Sequence, residues 1–327
     1  MHSESEGQNE VPRLTIVVPA YNEQDTLAEL YRRLKAASKA ASGDSYEIII
    51  VDDGSTDQTW SELEMLSAKD PHIVAVKLSR NHGHQLALTA GLSLSRGERI
   101  LIIDADLQDP PELLSSMMKK MDEGADVVYG VRTGREGESS FKLLTARLFY
   151  RVLEFLAETH IPRDTGDFRL MSRRALDVLN SMPEQHRFIR GMISWIGMKQ
   201  EPIYYRRDAR FAGSTKYPLR KMIRFALDAI TSFSTRPLRL ASYFSIIFGL
   251  LALVGVGYVG MSWVSGNTVR GWVSLSVMFL LFASAQLLVL GIMGEYLGRV
   301  FVEAKRRPLF VIERVSRASG CSRSGIG

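Results

Sequence analysis

Three polar loops carry the residues that could do chemistry. Asp104 and Asp106 stand one residue apart in Asp104-Ala105-Asp106-Leu107-Gln108-Asp109-Pro110-Pro111. Two carboxylates at the end of a strand can face a common point and offer hard oxygen ligands to Mg2+ or Mn2+, ions that keep positions open for phosphate oxygens. Asp52 and Asp53 open a second loop, Asp52-Asp53-Gly54-Ser55-Thr56-Asp57, in which Gly54 permits a tight turn. The third is Pro19-Ala20-Tyr21-Asn22-Glu23. With 16 aspartates in 327 residues, about one Asp-x-Asp arises by chance, so the motif gains its weight from position and company. Taken alone, Asp52–Ser55 also reads as turn chemistry and helix capping.

The position is set by the elements around these loops. Leu14–Val18, Glu47–Val51, Ile73–Leu78, Arg99–Ile103 and Asp126–Val131 are apolar, β-branched runs. Thr26–Ala41, Gln58–Lys69, Gln85–Leu94 and Pro111–Met121 have helical spacing. Repeated βα units with continuous apolar strands predict an α/β fold, a mostly parallel sheet covered on both faces. In such sheets ligands bind at the carboxyl ends of the strands, where all three polar loops fall. No Gly-x-Gly-x-x-Gly follows the first strand and no P-loop signature occurs, which argues against a nicotinamide site and against a P-loop nucleotidase.

Composition narrows the class. Apolar residues make up 46% of the chain, enough for a core, and the single cysteine, Cys321, excludes a disulfide scaffold and a cysteine-based zinc cluster. The net charge of +5 is unevenly spread. Residues 1–198 hold 23 basic and 30 acidic side chains, residues 199–239 hold 10 and 3, and residues 295–327 hold 7 and 3. Residues 240–294 carry Arg270 and no other charge. The basic segments flank the uncharged one, which points to anionic lipid head groups rather than nucleic acid.

Leu240–Val269 and Gly271–Gly294 each exceed the roughly 20 residues a helix needs to cross a bilayer. They predict a transmembrane hairpin, with spans at about 240–264 and 272–294, the alternative being a pair of buried core helices. Arg236 and Arg239 precede the first span; Arg299, Lys305, Arg306 and Arg307 follow the second; Arg270 lies in the turn. The positive-inside rule then places the N-terminal domain and both termini in the cytoplasm, on a multi-pass protein of the cell (inner) membrane. Met1–Pro12 is polar and has no signal-peptide character. Within 216–237, Leu219, Met222, Ile223, Ala226, Leu227, Ile230 and Phe233 recur at helical spacing, as in amphipathic helices of the head-group layer or a surface helix of the soluble domain. The expected order is a polar tail (1–12), a catalytic domain (13–215), interfacial helices (216–237), the hairpin (238–298) and a basic cytoplasmic tail (299–327).

Pro19–Glu23, Val51–Thr59, Ile103–Pro111, Thr165-Gly166-Asp167-Phe168-Arg169-Leu170 and Arg210–Tyr217 resemble the motifs of family-2 glycosyltransferases with the GT-A fold. The apolar spans and Gly294-Glu295-Tyr296-Leu297-Gly298-Arg299 narrow the resemblance to polyprenyl-phosphate glycosyltransferases, close to bactoprenol (undecaprenyl-phosphate) glucosyltransferases and dolichol-phosphate mannose synthases. It covers residues 13–312. It implies a nucleotide diphosphate sugar as donor, best matched by UDP-glucose, a polyprenyl phosphate acceptor, a divalent Mg2+ or Mn2+, and a homo-oligomer such as a tetramer. Mannose from GDP-mannose, an N-acetylhexosamine and an aminoarabinose derivative are the alternative sugars. By this resemblance Pro19, Tyr21, Glu23 and Asp53 hold the base and ribose, with Asp52 a further member of that pocket. Asp104 and Asp106 match the metal pair, aided by Gln108, with Asp104 also at the nucleotide sugar. Asp167 matches the acidic catalytic position, with Arg169 beside it. Arg132, Arg147 and Arg210 are the candidates for gripping phosphates, and Ser214 and Lys216 match a loop that closes over the site.

The implied reaction is a single displacement that inverts the anomeric carbon. A phosphate monoester has a second pKa of about 6, so the acceptor is already mostly dianionic. Asp167 is then either a base or an orienting group. Asn81-His82-Gly83-His84 reads as the start of a helix with local capping, and Met192–Met198 with Trp195 as core or acceptor groove. Two rivals remain. One is a processive polysaccharide synthase, which usually carries a Gln-x-x-Arg-Trp motif that this chain lacks; the other is a non-catalytic nucleotide-binding membrane scaffold.

Overall fold

Strand β1 (Leu14–Ala20) lies at the centre of an eight-stranded sheet because every one of its residues can be buried. The computed structural model describes residues 11–133, 165–206, 236–265 and 272–318. The chain alternates β1, α1 (Leu27–Ser42), β2 (Tyr46–Asp52), α2 (Thr59–Lys69), β3 (Ile73–Leu78), α3 (His84–Leu94), β4 (Arg99–Ile102), α4 (Leu114–Asp122) and β5 (Val127–Arg132). This is the expected βα series. Beyond it come β6 (Thr165–Ser172), α5 (Arg173–Ser181), α6 (Ile189–Ile196) and β7 (Gln200–Tyr205). Two long helices follow, α7 (Arg236–Val264) and α8 (Trp272–Lys305), and then β8 (Ile312–Ser316).

The strand order is β7-β5-β6-β4-β1-β2-β3-β8. Strands β1 to β4 run parallel, β5 and β7 pair in parallel, and β6 is antiparallel to both of its neighbours. The sheet is therefore mostly parallel, as a GT-A-like α/β domain requires. Alternation along the strands feeds two cores. Ile48 and Ile50 point to the side covered by Leu27, Leu30 and Leu34 of α1 and Met117 of α4. Ile49 and Val51 point to the opposite side, against Ala87 and Ala90 of α3. Burial on both faces explains why these strands read as continuous apolar runs.

The basic tail departs from its expected form. Residues 299–305 continue α8, and Ile312–Ser316 pairs antiparallel with β3. Phe310 and Ile312 pack against the Val74, Val76 and Leu78 cluster, and Ser67 Oγ donates to Ser316 Oγ at 2.8 Å. An uncovered β3 would expose a row of unpaired backbone groups, which β8 satisfies. The five residues were too few and too polar to announce a strand.

The described residues fall into two units, the sheet with its helices and β8, and the pair of long helices. Within the second unit, Leu281–Lys305 is long and apolar enough to cross a membrane, and Ile246–Gly255 is a shorter apolar stretch. Most of the interfacial segment, residues 216–235, lies outside the described residues, as does the turn 266–271.

Candidate functional site

The reversed strand β6 creates the site. β1, β2 and β4 end at one edge of the sheet, and β6 begins there. Ile102 pairs with Arg169, so two residues further out Asp104 meets Asp167 across the strand ends. The third partner comes from α3. Its first residue, His84, directs Nε2 to 3.1 Å from Asp167 Oδ2 and 3.5 Å from Asp104 Oδ1. One ligand-type atom from each of these three side chains lies within 4.8 Å of the other two.

Asp167 is buried and densely partnered. Arg190 donates from Nε to its Oδ1 at 2.7 Å and from Nη2 to its Oδ2 at 3.3 Å. Gln85 Nε2 donates to Oδ2 at 3.2 Å, while Gln85 Oε1 accepts from the backbone N–H of Ile189 at 3.0 Å. One side chain thus ties the start of α3 to the start of α6 and to β6. Burial alone would raise the Asp167 carboxyl, but Arg190, His84 and Arg169 outweigh it and hold it well below the ordinary carboxylate range. Burial would likewise lower His84, and the carboxylates of Asp167 and Asp104 reverse that and raise it. Asp167 is therefore an ionised, saturated acceptor with little capacity to take up a proton.

Asp104 has the opposite character. Burial comes first and pushes its carboxyl up to about 6, helped by the nearby Asp167, Asp109 and Asp106 and opposed by His84. Its Oδ1 is buried without a hydrogen bond. An orphaned, partly desolvated carboxylate beside another carboxylate and an imidazole is a donor set that fits a divalent cation. Asp106, expected with Gln108 to share that ion, is not one of these three carboxylate and imidazole groups. Leu107 takes a left-handed turn with φ of 58°, and Asp106 Oδ1 accepts from the Gln108 N–H at 3.2 Å. Asp104 faces the cluster, while Asp106 Oδ1 is engaged by its own loop.

The first two loops lock onto each other. Asn22 N–H donates to Ser55 Oγ at 2.9 Å and Thr56 N–H to Asn22 Oδ1 at 2.9 Å. Pro19 is buried in β1, Tyr21 is exposed, and the Glu23 carboxylate accepts from the Thr26 hydroxyl at 3.0 Å. Asp52 is fully buried; its Oδ1 accepts from Ser55 N–H at 3.0 Å and its Oδ2 has no partner, so burial raises its pKa. Asp53 accepts from the backbone N–H groups of His82 at 2.7 Å and Gly83 at 2.9 Å. It fixes the turn from which His84 projects. Gly54, with φ of 69°, has the Arg80 carbonyl carbon 2.6 Å from where a Cβ would stand. Only glycine permits that approach.

Arg132, at the end of β5, donates from Nε to Tyr205 Oη at 3.3 Å and sits 3.6 Å from Asp109 Oδ1, to which the Tyr205 hydroxyl also donates. Its guanidinium lies over Gly166, where a Cβ would stand 2.5 Å from Nη2. Arg169 is buried and donates to the carbonyls of Gly166 at 2.9 Å and Asp167 at 3.3 Å, and burial lowers it to about 10. Its contacts hold the strand start in place rather than reach outward. On α6, Met192 and Ile193 are core, whereas Trp195 is exposed. Arg147, Arg210, Ser214 and Lys216 lie outside the described residues.

His84, Gln85 and Arg190 are the members that the sequence analysis did not assign to the site. The Asn81–His84 segment does begin a helix, as expected, and its last side chain also turns into the cluster. Two histidines flanking a glycine between a strand and a helix were the available signal; Arg190 offered none.

Comparison with known proteins adds an independent line. The family description "Glycosyl transferase family 2" matches residues 15–179. An uncharacterized glycosyltransferase of Bacillus subtilis, YkcC, is 46% identical over 303 residues, spanning 92% of this chain and 93% of the relative. A prophage bactoprenol glucosyl transferase homolog of Escherichia coli is 37% identical, over 93% of this chain and 100% of its own. The bactoprenol glucosyl transferase of Shigella phage SfII is 35% identical, over 94% and 99%. Among solved structures, mannosyl-3-phosphoglycerate synthase from Rubrobacter xylanophilus aligns with 71% of this chain and 75% of its own at 20% identity and a TM-score of 0.47. A likeness that slight carries no functional argument.

Proposed function

The chain belongs to glycosyl transferase family 2, and from that premise we propose that it transfers a hexose from a nucleotide diphosphate to a polyprenyl phosphate, with inversion, at a membrane. Glucose from UDP-glucose is the donor and undecaprenyl phosphate the acceptor. The carrying observation is that the likeness to bactoprenol glucosyl transferases spans the apolar C-terminal helices as well as the sheet domain. A shared sugar-nucleotide domain alone would leave the acceptor open; the shared apolar segment favours a lipid.

In this reading the two long helices cross the bilayer as a hairpin, and basic flanks keep the sheet domain on the cytoplasmic face. A bound divalent cation offsets the negative charge of the diphosphate and stabilises the leaving nucleotide. The Tyr21–Glu23 and Asp52–Ser55 loops receive the nucleoside. Asp104 presents its unpartnered oxygen to the donor side. Arg132 offers a guanidinium to phosphate oxygens, and Arg190, held on Asp167, adds positive charge beside them. The acceptor arrives as a dianion and attacks the anomeric carbon opposite the leaving diphosphate. No proton need be removed, which agrees with Asp167 being held ionised and saturated by Arg190, Gln85 and His84. Asp167 therefore orients Arg190 and His84, and the main task is to bring two anions together.

The test is a panel of labelled nucleotide sugars supplied to purified full-length protein with undecaprenyl phosphate and Mn2+ or Mg2+. Label from UDP-glucose should enter the organic phase. Label entering from GDP-mannose or UDP-N-acetylglucosamine instead would reassign the sugar, and label released only as free sugar would remove the lipid acceptor.

A further inference from the structure

Tyr205, the last residue of β7, touches two groups at the strand ends. Its hydroxyl donates to Asp109 Oδ1, in the loop after β4, and accepts from Arg132 Nε, at the end of β5, at 3.3 Å. We infer that Tyr205 is a positioning residue for phosphate binding: together with Asp109 it fixes the direction in which the Arg132 guanidinium points. The inference rests on the reading that Arg132 meets a phosphate of the donor or of the acceptor. A phenol carries one proton, and here it is committed to Asp109, so the oxygen is left to accept from Arg132. Burial first, and then the Asp109 carboxylate, push the Tyr205 phenol up, so the proton is kept. Donation to a carboxylate also makes the oxygen a stronger acceptor. The contact uses Nε, so the outer nitrogens of the fork are not spent on it. Nη2 stands 3.6 Å from Asp109 Oδ1, beyond a good hydrogen bond, and the Arg132 side chain keeps 26% exposure.

The ring has a fitted seat. Arg132 and Tyr205 are register partners across the parallel pair β5 and β7. The Thr133 N–H and the Thr133 hydroxyl both donate to the Tyr205 carbonyl, at 2.8 and 3.0 Å, and tie the two strand ends together. Gly130 leaves room for the ring, since a Cβ there would stand 2.7 Å from Tyr205 Cε1 and 2.8 Å from Phe168 Cδ1. The Phe168 ring meets the Tyr205 ring edge-on, with centroids 5.6 Å apart. Phe168, Tyr205 and Asp109 are all buried. A buried ring packed in this way holds its hydroxyl in one place. On the other side of the guanidinium lies Gly166, whose missing side chain lets Nη2 rest over the start of β6, one residue from Asp167. Tyr205 therefore sets where Arg132 stands relative to the carboxylate cluster.

The experiment is a double-mutant cycle on full-length protein in detergent, with UDP-glucose and undecaprenyl phosphate as separate binding probes. Tyr205→Phe keeps the ring on Gly130 and Phe168 and removes only the hydroxyl. It should weaken one or both probes roughly tenfold, the worth of one hydrogen bond to a charged group. The probe that weakens identifies the phosphate that Arg132 meets. In an Arg132→Ala background the same change should alter that affinity by less than about twofold, because the group it positions is gone. Asp109→Asn keeps an acceptor for the hydroxyl but weakens its pull, so it should weaken the same probe by a smaller factor. Wild-type affinity for both probes in Tyr205→Phe, full multiplication of the two losses in the double variant, or no binding of either probe by the wild type would each overturn the assignment. Lipid transfer by the same preparations separates the two readings. A coupled loss of affinity without transfer by the wild type keeps the role of Tyr205 and removes the reaction. Transfer by the wild type, with affinities unchanged in Tyr205→Phe, keeps the reaction and removes the role.

Discussion

Arg190 Nε stands 2.7 Å from Asp167 Oδ1, joining the start of α6 to the start of β6 through an ion pair whose carboxylate is almost fully buried. Arg190 is the largest of the three contacts, with His84 and Arg169, that hold Asp167 ionised against burial. In Arg190→Ala, only His84 and Arg169 would remain against burial, and its carboxyl should rise. Transfer should fall by about a hundredfold or more, and its kcat/KM should acquire a new loss of activity as pH falls from about 8 to 5. The wild type should show no limb from Asp167 in that window, because its folded value lies well below it. Rate profiles against pH for the two proteins check this. Removing one partner of a buried pair should also cost about 3–5 kcal/mol of stability.

Asp104 gives the opposite sign. Its folded pKa of about 6 lies above the unfolded value of about 3.9, so this group favours the folded state most at low pH. That contribution declines as pH rises from about 4 to 6. Without metal at pH 7.5, Asp104→Asn should therefore be more stable than wild type, by on the order of 1–2 kcal/mol. Excess Mn2+ should stabilise the wild type and not the variant. Thermal melts with and without chelator supply the comparison.

Gly166 separates packing from chemistry. A methyl there would meet the end of the Arg132 side chain, 2.5 Å from Nη2, rather than backbone. Gly166→Ala should cost less than about 1 kcal/mol in stability, yet displace a candidate phosphate donor. Steady-state kinetics should show a KM raised roughly tenfold for donor or acceptor, with a smaller change in kcat.

At the opposite end of the sheet, Asp70 accepts from Lys35 and Tyr31, each at 2.7 Å, and from the His72 N–H at 3.0 Å. Burial would raise its carboxyl, but Lys35, Tyr31 and His72 outweigh burial and hold it below the ordinary value. Its stabilisation is present above the unfolded value of about 3.9 and is lost as pH falls through that range toward the folded value. Asp70→Asn should lower stability by about 2 kcal/mol at pH 7, with the difference closing in acid, and leave kcat unchanged. Denaturant titrations at several pH values would reveal it.

These residues also show what the sequence made legible. The five runs from Leu14 to Val131 announced strands because two-sided burial leaves no polar alternation to confuse them. Asp104 was legible because it follows such a run. Arg190 and Gln85 were not, since their contacts reach 23 and 82 residues along the chain to Asp167, and no periodicity marks that distance. Asp53 was read as a ribose ligand by resemblance, and its carboxylate is engaged by two backbone N–H groups that only the folded turn creates. The antiparallel direction of β6, which brings Asp167 to Asp104, was equally hidden, because a strand's direction is set by its neighbours.

The central claim is that a lipid phosphate displaces a nucleotide at the anomeric carbon. It is tested most directly by NMR of the lipid product made from UDP-glucose labelled with carbon-13 at the anomeric position. The account predicts an anomeric carbon coupled to one phosphorus, in the β configuration. An α-linked product, or an anomeric carbon without phosphorus coupling, would contradict it.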